Sequence, residues 1–252
     1  MSFAGKVVLV TGGGSGIGRA VSLAFHEAGA SVAVADIDAA GAAATQRLID
    51  EQGGKAIAIT VDVADAASVE GMLETMLSRF GRLDCAANCA GIGSAAVSTA
   101  DHELEIWQRT LSVNLTGVWL CMKHEIKQML IQGGGSIVNI ASGAGLVAVP
   151  YAAAYVASKH GVVGLTRAAA IEYTRLGIRI NAVCPGYIRT PMSLKSIADT
   201  PGMTEEVAAS HMPIGRIGEP GEIADAVLWL CSAQASFVVG AAIPIDGGYT
   251  AV

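Results

Sequence analysis

Tyr155 and Lys159 stand four residues apart in "YVASK", and the valine, alanine and serine between them do not break a helix. Residues four apart share one helix face, with β-carbons roughly 5–6 Å apart. A phenol and an ammonium held that close act on each other's protonation. A free phenol titrates near ~10, too high for a good base at neutral pH. A neighbouring cation favours the phenolate and lowers that value. The spacing predicts an acid/base unit in which Tyr155 exchanges the proton and Lys159 pulls its pKa down. Ser142, in "IVNIAS", is a hydroxyl able to hydrogen-bond a substrate oxygen and help it carry charge.

A second constellation lies near the start. The apolar run "KVVLVT" leads into "GGGSGIG", with Gly12, Ser15, Gly16, Ile17 and Gly18 in a G-x-x-x-G-x-G pattern. A strand, a bare glycine turn and a helix N-terminus make a site for a pyrophosphate, because the backbone admits the anion and the helix dipole favours it. Asp36 closes the next apolar run, roughly 20 residues on, where a carboxylate accepts hydrogen bonds from an adenosine ribose and repels a 2′-phosphate. Neither Ser15 nor Ile37 is basic, and Arg19 lies one step into the helix. Asp38 is placed to cap the following helix, which leaves Asp36 free. The expected cofactor is NAD rather than NADP.

These residues need a frame. Apolar, β-branched runs recur as "KVVLVT", "SVAVAD", "AIAITVDV", "LDCAAN", "SIVNIAS", "RINAVCP" and "AAIPID". They are continuous rather than alternating, as in strands buried on both faces. Helical patterns separate most of them, which predicts parallel strands joined by right-handed crossovers. The expected fold is α/β: a single-domain, Rossmann-type, doubly wound parallel sheet of about seven strands with helices on both faces, spanning 1–252. Gly29 and Gly81 fall just past helical runs, as C-caps do. Residues 186–218 hold three prolines and no strand pattern; a connection that long is expected to be a substrate-binding loop.

Hydrophobic residues make up 52% of the 252 and charged residues 15%, enough apolar matter for a large core. The net charge of −6, without a Lys/Arg-rich run, argues against nucleic acid as a partner. No apolar run approaches the ~20 residues that span a bilayer, and no signal-peptide pattern opens the chain. The expectation is a cytoplasmic protein with no membrane partner. Five cysteines at irregular spacing do not suggest a disulfide framework. Cys85 and Cys89 are read as small buried residues rather than a metal or redox pair, and no metal site is expected. His160, next to Lys159, points to another helix face.

Taken together, "TGGGSGIG", Asp62 and Val63, "NCAG", "VNLTG", "IVNIAS", "YVASK" and "PGYIRTP" resemble the short-chain dehydrogenase/reductase family in order and spacing along the whole chain. The resemblance implies a catalytic quartet of Asn114, Ser142, Tyr155 and Lys159. Asn114 would hold a water linking Lys159 to solvent. Adenine would lie near Asp62 and Val63, with Asn88, Ala90 and Gly91 on the ribose side. Pro185, Gly186, Ile188 and Thr190 would border the nicotinamide. Cys89 is a local departure from the family's usual motif. The expected reaction interconverts a small or cyclic, largely apolar secondary alcohol and its ketone. Pocket walls are expected from residues 93–96 and 143–147, Tyr151, Tyr187, Met192, Leu194, Ile197, Met203, Val207 and Met212. The alternatives are a 3-oxoacyl thioester reductase, which Asp36 opposes, and a non-enzymatic nucleotide-binding regulator, which had no need to keep the quartet. Small residues along the helix around Tyr155, among them Ala153, Ala157, Gly161, Gly164 and Ala168, suggest close packing against a second copy, and family members usually pair this way; a homotetramer is expected.

Overall fold

Every residue of the first strand, β1 (Val7–Thr11), is buried, because successive side chains enter two different cores. Val8 and Val10 pack on one face with Val21, Phe25 and Ile49. Val7 and Leu9 pack on the other with Met72, Met76 and Ile126. A strand with apolar partners on both sides has no polar face to show, which is why the runs do not alternate.

The structure is a computed structural model that describes residues 1–252 except Ser94, Ala95, Pro201 and Val252. With β2 (Ser31–Asp36), β3 (Lys55–Thr60), β4 (Cys85–Asn88), β5 (Gly135–Ile140), β6 (Ile178–Pro185) and β7 (Ala242–Ile245), β1 builds one parallel sheet in the order β3-β2-β1-β4-β5-β6-β7. Helices α1 (Gly16–Glu27), α2 (Ala39–Glu51) and α9 (Pro220–Cys231) cover one face. Helices α3 (Ala66–Phe80), α5 (Gly117–Gln132) and α6 (Ala153–Tyr173) cover the other, with α4 (Leu104–Leu111) leading into α5. The chain runs outward from β1 to β3 and then returns to β4 on the other side of β1. Strand order reverses there, and a crevice opens at the carboxyl ends of β1 and β4. The fold is the expected one, with seven strands as read. The third strand stops at Thr60, short of the run ending at Val63, because Asp62 and its neighbours turn toward α3: the Asp62 amide bonds Ser68, and its carboxylate takes the Ala64 amide.

Residues 186–218 are not the irregular loop expected from the sequence. They contain α7 (Pro191–Asp199) and α8 (Glu205–Ser210). Thr190 caps α7 in a reciprocal box with Ser193, and Pro191 takes the first helical position, where its missing amide costs nothing. Thr204 caps α8. Ile197, Ala208 and Ile217 form a small core of their own with Tyr187 and Met203. The Arg189 amide donates to Gly218 and the Gly218 amide to Tyr187, closing the base of this lobe.

Candidate active site

The crevice is a cleft of about 430 Å³. One end is built by the turn from β1 into α1. Gly12 has φ +66, and a β-carbon there would stand 2.8 Å from the Ala90 backbone. A β-carbon on Gly18 would stand 2.1 Å from the Gly12 carbonyl oxygen. Only glycine lets the β1 turn, α1 and the chain after β4 approach this closely. Ser15 precedes α1 without a side-chain cap, and no acidic residue occupies the first turn. The helix therefore presents uncapped amides and positive dipole to the cleft, the arrangement that holds an anion.

Asp36 ends β2 beside this turn. Its Oδ2 accepts from the Gly14 amide at 2.8 Å and its Oδ1 from the Asp38 amide at 2.9 Å. Asp38 caps α2 through the Ala40 amide, as expected, and leaves the Asp36 carboxylate at the cleft edge. The Arg19 guanidinium is held on the Gly14 carbonyl oxygen and the Thr45 hydroxyl. Ile37 is 60% exposed on the rim. Asp62 and Val63 line the same end, facing Arg109, which approaches the Asp62 carboxylate at 3.8 Å.

At the other end stand Ser142, Tyr155 and Lys159. Ser142 follows β5, and its hydroxyl accepts from the Ala144 amide at 3.1 Å. Tyr155 and Lys159 project from α6, with the ammonium 5.7 Å from the phenol ring centroid. Lys159 is buried, and its Nζ donates to the Ile140 carbonyl at 2.9 Å. Burial pushes its pKa down to about 8, against the smaller pull of Cys89 and Cys184. Burial pushes the Tyr155 phenol up; the hydrogen bond from Ser142 opposes this, and the neighbouring Tyr187 adds to it. In the cofactor-free site burial is therefore the largest influence on each of the two groups.

Gly12, Ser15, Gly16, Ile17, Gly18, Asp36, Ile37, Asp62, Val63, Ala90, Gly91, Pro185, Gly186, Ile188 and Thr190 all line the cleft. Two residues expected at the site do not line it. Asn88 is buried behind it, donating to Glu125 at 3.1 Å and to Asn139 at 3.0 Å. Asn114 sits in a π-helical turn between α4 and α5, the kind of irregularity that accompanies functional sites. Its carboxamide accepts from the Ile92 amide at 2.8 Å and donates to the Ile92 carbonyl at 2.9 Å, so it pins the chain that leaves β4. The Thr190 hydroxyl caps α7.

Of the expected walls, Gly93, Gly143, Ala144, Tyr187 and Met192 face the cleft, while Ser94 and Ala95 lie outside the described residues. Ile197 and Met203 pack into the small lobe instead. Met212 is buried next to Gly186, and Tyr151 is an exposed residue at φ +62 outside the cleft lining. Sequence reasoning missed Arg109, Val149, Ala152 and Tyr249. The first three come from segments without a motif, and Tyr249 comes from the chain after the last strand, whose return to the site only the tertiary fold reveals. Cys85 is buried with Cys231, and Cys89 borders the cleft, its thiol pushed up to about 12 by burial.

Residues 12–250 match the protein family described as "Enoyl-(Acyl carrier protein) reductase". The chain is 46% identical over 250 residues to a 2,5-dichloro-2,5-cyclohexadiene-1,4-diol dehydrogenase of Sphingobium indicum, covering 98% of each chain. It is 44% identical to a cyclohexanol dehydrogenase of an Acinetobacter species, covering 98% of this chain and 96% of that one. The solved structure of a levodione reductase superposes with a TM-score of 0.96 at 39% identity, covering 99% of both chains.

Proposed function

The chain belongs to the short-chain dehydrogenase/reductase family, and on that premise we propose that it is an NAD-dependent dehydrogenase interconverting ring-borne secondary alcohols and their ketones. One observation carries the reading. A single cleft joins an anion-holding helix end and an acidic ribose site to a buried Lys159 and half-buried Tyr155 and Ser142. The relatives named for cyclohexanol and for a cyclohexadiene diol support the substrate class.

The uncapped end of α1 would hold the pyrophosphate, Asp36 the adenosine ribose, and Asp62 and Val63 the adenine. Lys159 would hold the nicotinamide ribose, and residues 185–190 the nicotinamide. When bound, the nicotinamide takes up the hydride from the alcohol carbon or returns it to the ketone carbon. Tyr155 accepts the hydroxyl proton as the C–O bond becomes C=O, and gives it back in reduction. Ser142 hydrogen-bonds the same oxygen. Lys159 fixes the local charge beside the phenol. Asn114 positions the chain after β4 and, as the family resemblance implies, the water that connects Lys159 to solvent.

Asp36 supports NAD over NADP. Arg19 is engaged by the glycine turn, and Arg109 stands beside a carboxylate, so neither is free to hold a 2′-phosphate. An acyl-carrier-protein substrate is disfavoured because Arg189 and Arg216 of the small lobe are already paired with Glu205, Glu219 and Glu222. The segment 186–218 would serve as the substrate-side wall of the single domain. A homotetramer fits the exposure on α6, where Ile171 is 77% exposed and a β-carbon on Gly164 would meet nothing. Light scattering at micromolar concentration tests the assembly, and a monomer would reject it. Cytoplasmic placement accords with five free cysteines. Among the described residues no helix is long and apolar enough to cross a membrane.

The deciding experiment is a panel of cyclic secondary alcohols followed by reduced-nicotinamide absorbance with NAD⁺ and NADP⁺ in parallel. Turnover with NAD⁺ is expected, and Tyr155→Phe should abolish nearly all of it. A preference for NADP⁺ in kcat/KM, or substantial activity in Tyr155→Phe, overturns the reading.

A further inference from the structure

Three phenols meet at the substrate end of the cleft, and the reaction uses one. Tyr187, in the chain leaving β6, and Tyr249, in the turn after β7, line the cleft together with Tyr155. The Tyr249 ring stands 3.1 Å from where a β-carbon on Gly143 would be, directly beside Ser142. Its position is fixed by Asp246, which accepts from the amides of Gly248 and Thr250 at 3.0 Å and from the Thr250 hydroxyl at 2.6 Å. None of these bonds engages the Tyr249 phenol. Tyr187 is half-buried, its phenol pushed up by burial and by Tyr249. Gly143, Ala144, Val149, Ala152 and Met192 add apolar wall at this end; of the serines that follow Met192 in the lining, Ser193 is engaged by the Ile188 carbonyl and Ser196 is exposed.

We propose that Tyr187 and Tyr249 form a subsite for a second oxygen, so that the preferred substrate is a ring secondary alcohol bearing a further neutral hydroxyl or carbonyl. The inference rests on the proposed dehydrogenase reading. A phenol hydroxyl in an apolar wall is satisfied by water until a ligand displaces it. A plain cycloalkanol would remove that water and leave the hydroxyls unpaired, whereas a second oxygen on the ring would replace it. Sites built to bond a polar group reject analogues lacking it. A carboxylate in that place would find no counter-charge. The cleft's described basic residues are Arg109, at the Asp62 end, and Lys159, on the Ile140 carbonyl.

The test compares the isomeric cyclohexanediols, cyclohexanol and a hydroxycyclohexanecarboxylate in wild type, Tyr187→Phe and Tyr249→Phe. One neutral hydrogen bond is worth about fivefold. The best diol should therefore exceed cyclohexanol in kcat/KM by about five- to tenfold, with the carboxylate below the diol. Each phenylalanine variant should shrink the diol-to-cyclohexanol ratio by about fivefold. Calorimetric binding of the same compounds to Tyr155→Phe loaded with NAD⁺ gives a readout without turnover and should show the same order. If wild type turns over no ring alcohol but the calorimetric preference holds, the dehydrogenase reading fails and the subsite stands. Equal binding of diol and cyclohexanol, or a ratio unmoved by both variants, overturns the subsite.

Discussion

Replacing Lys159 with methionine should stabilise the cofactor-free protein while destroying its activity. Lys159 is 5% exposed, and burial takes its pKa from an ordinary 10.5 to about 8. At about 1.4 kcal/mol per pKa unit, keeping it charged inside the fold costs on the order of 3 kcal/mol. Its hydrogen bond to the Ile140 carbonyl returns about 1 kcal/mol, so the net gain from Lys159→Met at pH 7 is about 2 kcal/mol. The pH dependence identifies the cause. Below pH 8 the lysine is charged in both states and the full penalty applies. Between about 8 and 10.5 the folded lysine has lost its proton while the unfolded one keeps it, so wild-type stability rises relative to the variant. Above 10.5 both are neutral and the gap closes. Urea unfolding of both proteins without cofactor, at pH 7 and near pH 10.5, measures this directly. A variant less stable than wild type at pH 7, or a gap that does not shrink on raising the pH, refutes the reasoning.

Glu125 is wholly buried, and burial outweighs the Asn88 hydrogen bond to push its pKa up to about 8. The folded protein thus retains a proton that an unfolded carboxyl releases near 4.5, and stability falls as pH rises across that window; Glu125→Gln should gain an advantage growing to a few kcal/mol by pH 8, and an equal gap at pH 4 and pH 8 would contradict this. In the cofactor-free enzyme the Tyr155 phenol should ionise later than exposed tyrosines, read as the ultraviolet difference between wild type and Tyr155→Phe across a pH titration. Ionisation below the ordinary value would show that the lysine wins over burial after all. Gly12→Ala places a β-carbon 2.8 Å from the Ala90 backbone at φ +66, so it should weaken NADH binding at least tenfold in a fluorescence titration; unchanged affinity would show that the turn can yield.

The fold was legible because the strands are buried on both faces. Each apolar run from Val7 to Ile245 became a strand in one parallel sheet, and the switch point fell where the glycine turn required it. The residues that line the cleft were legible where a backbone constraint carries them, as at Gly12 and Gly18. Asp38 was readable as a cap for the same reason, since capping is local in sequence. What was not legible depends on tertiary return. Tyr249 reaches Gly143 from the far end of the chain. Asn88 is the last residue of β4, where the pleat turns its side chain away from the cleft toward Glu125, whereas Ala90 and Gly91 lie past the strand. In residues 186–218 the signals were present: Thr190 before Pro191 and Thr204 before two glutamates are helix starts. The prolines suggested a loop, but Pro191 falls inside a helix at a position that tolerates it, and Pro213 lies past the end of α8.

In the cofactor-free site burial acts on Tyr155 and Lys159 together. At 5.7 Å and an effective dielectric near ~20, a full ammonium would favour the phenolate by about 3 kcal/mol, or about two pKa units. That help exists only while the lysine is charged. The buried ammonium gives up its proton near 8, whereas the phenol is shifted upward from its ordinary range. Low dielectric disfavours the charged form of both groups. At neutral pH the free enzyme therefore holds a charged Lys159 beside a protonated Tyr155. That state suits donation of a proton to a carbonyl oxygen, the proton step that the proposed ketone reduction requires. Alcohol oxidation instead requires the phenolate and should gain with rising pH in a kcat/KM profile; a flat profile would refute Tyr155 as the base.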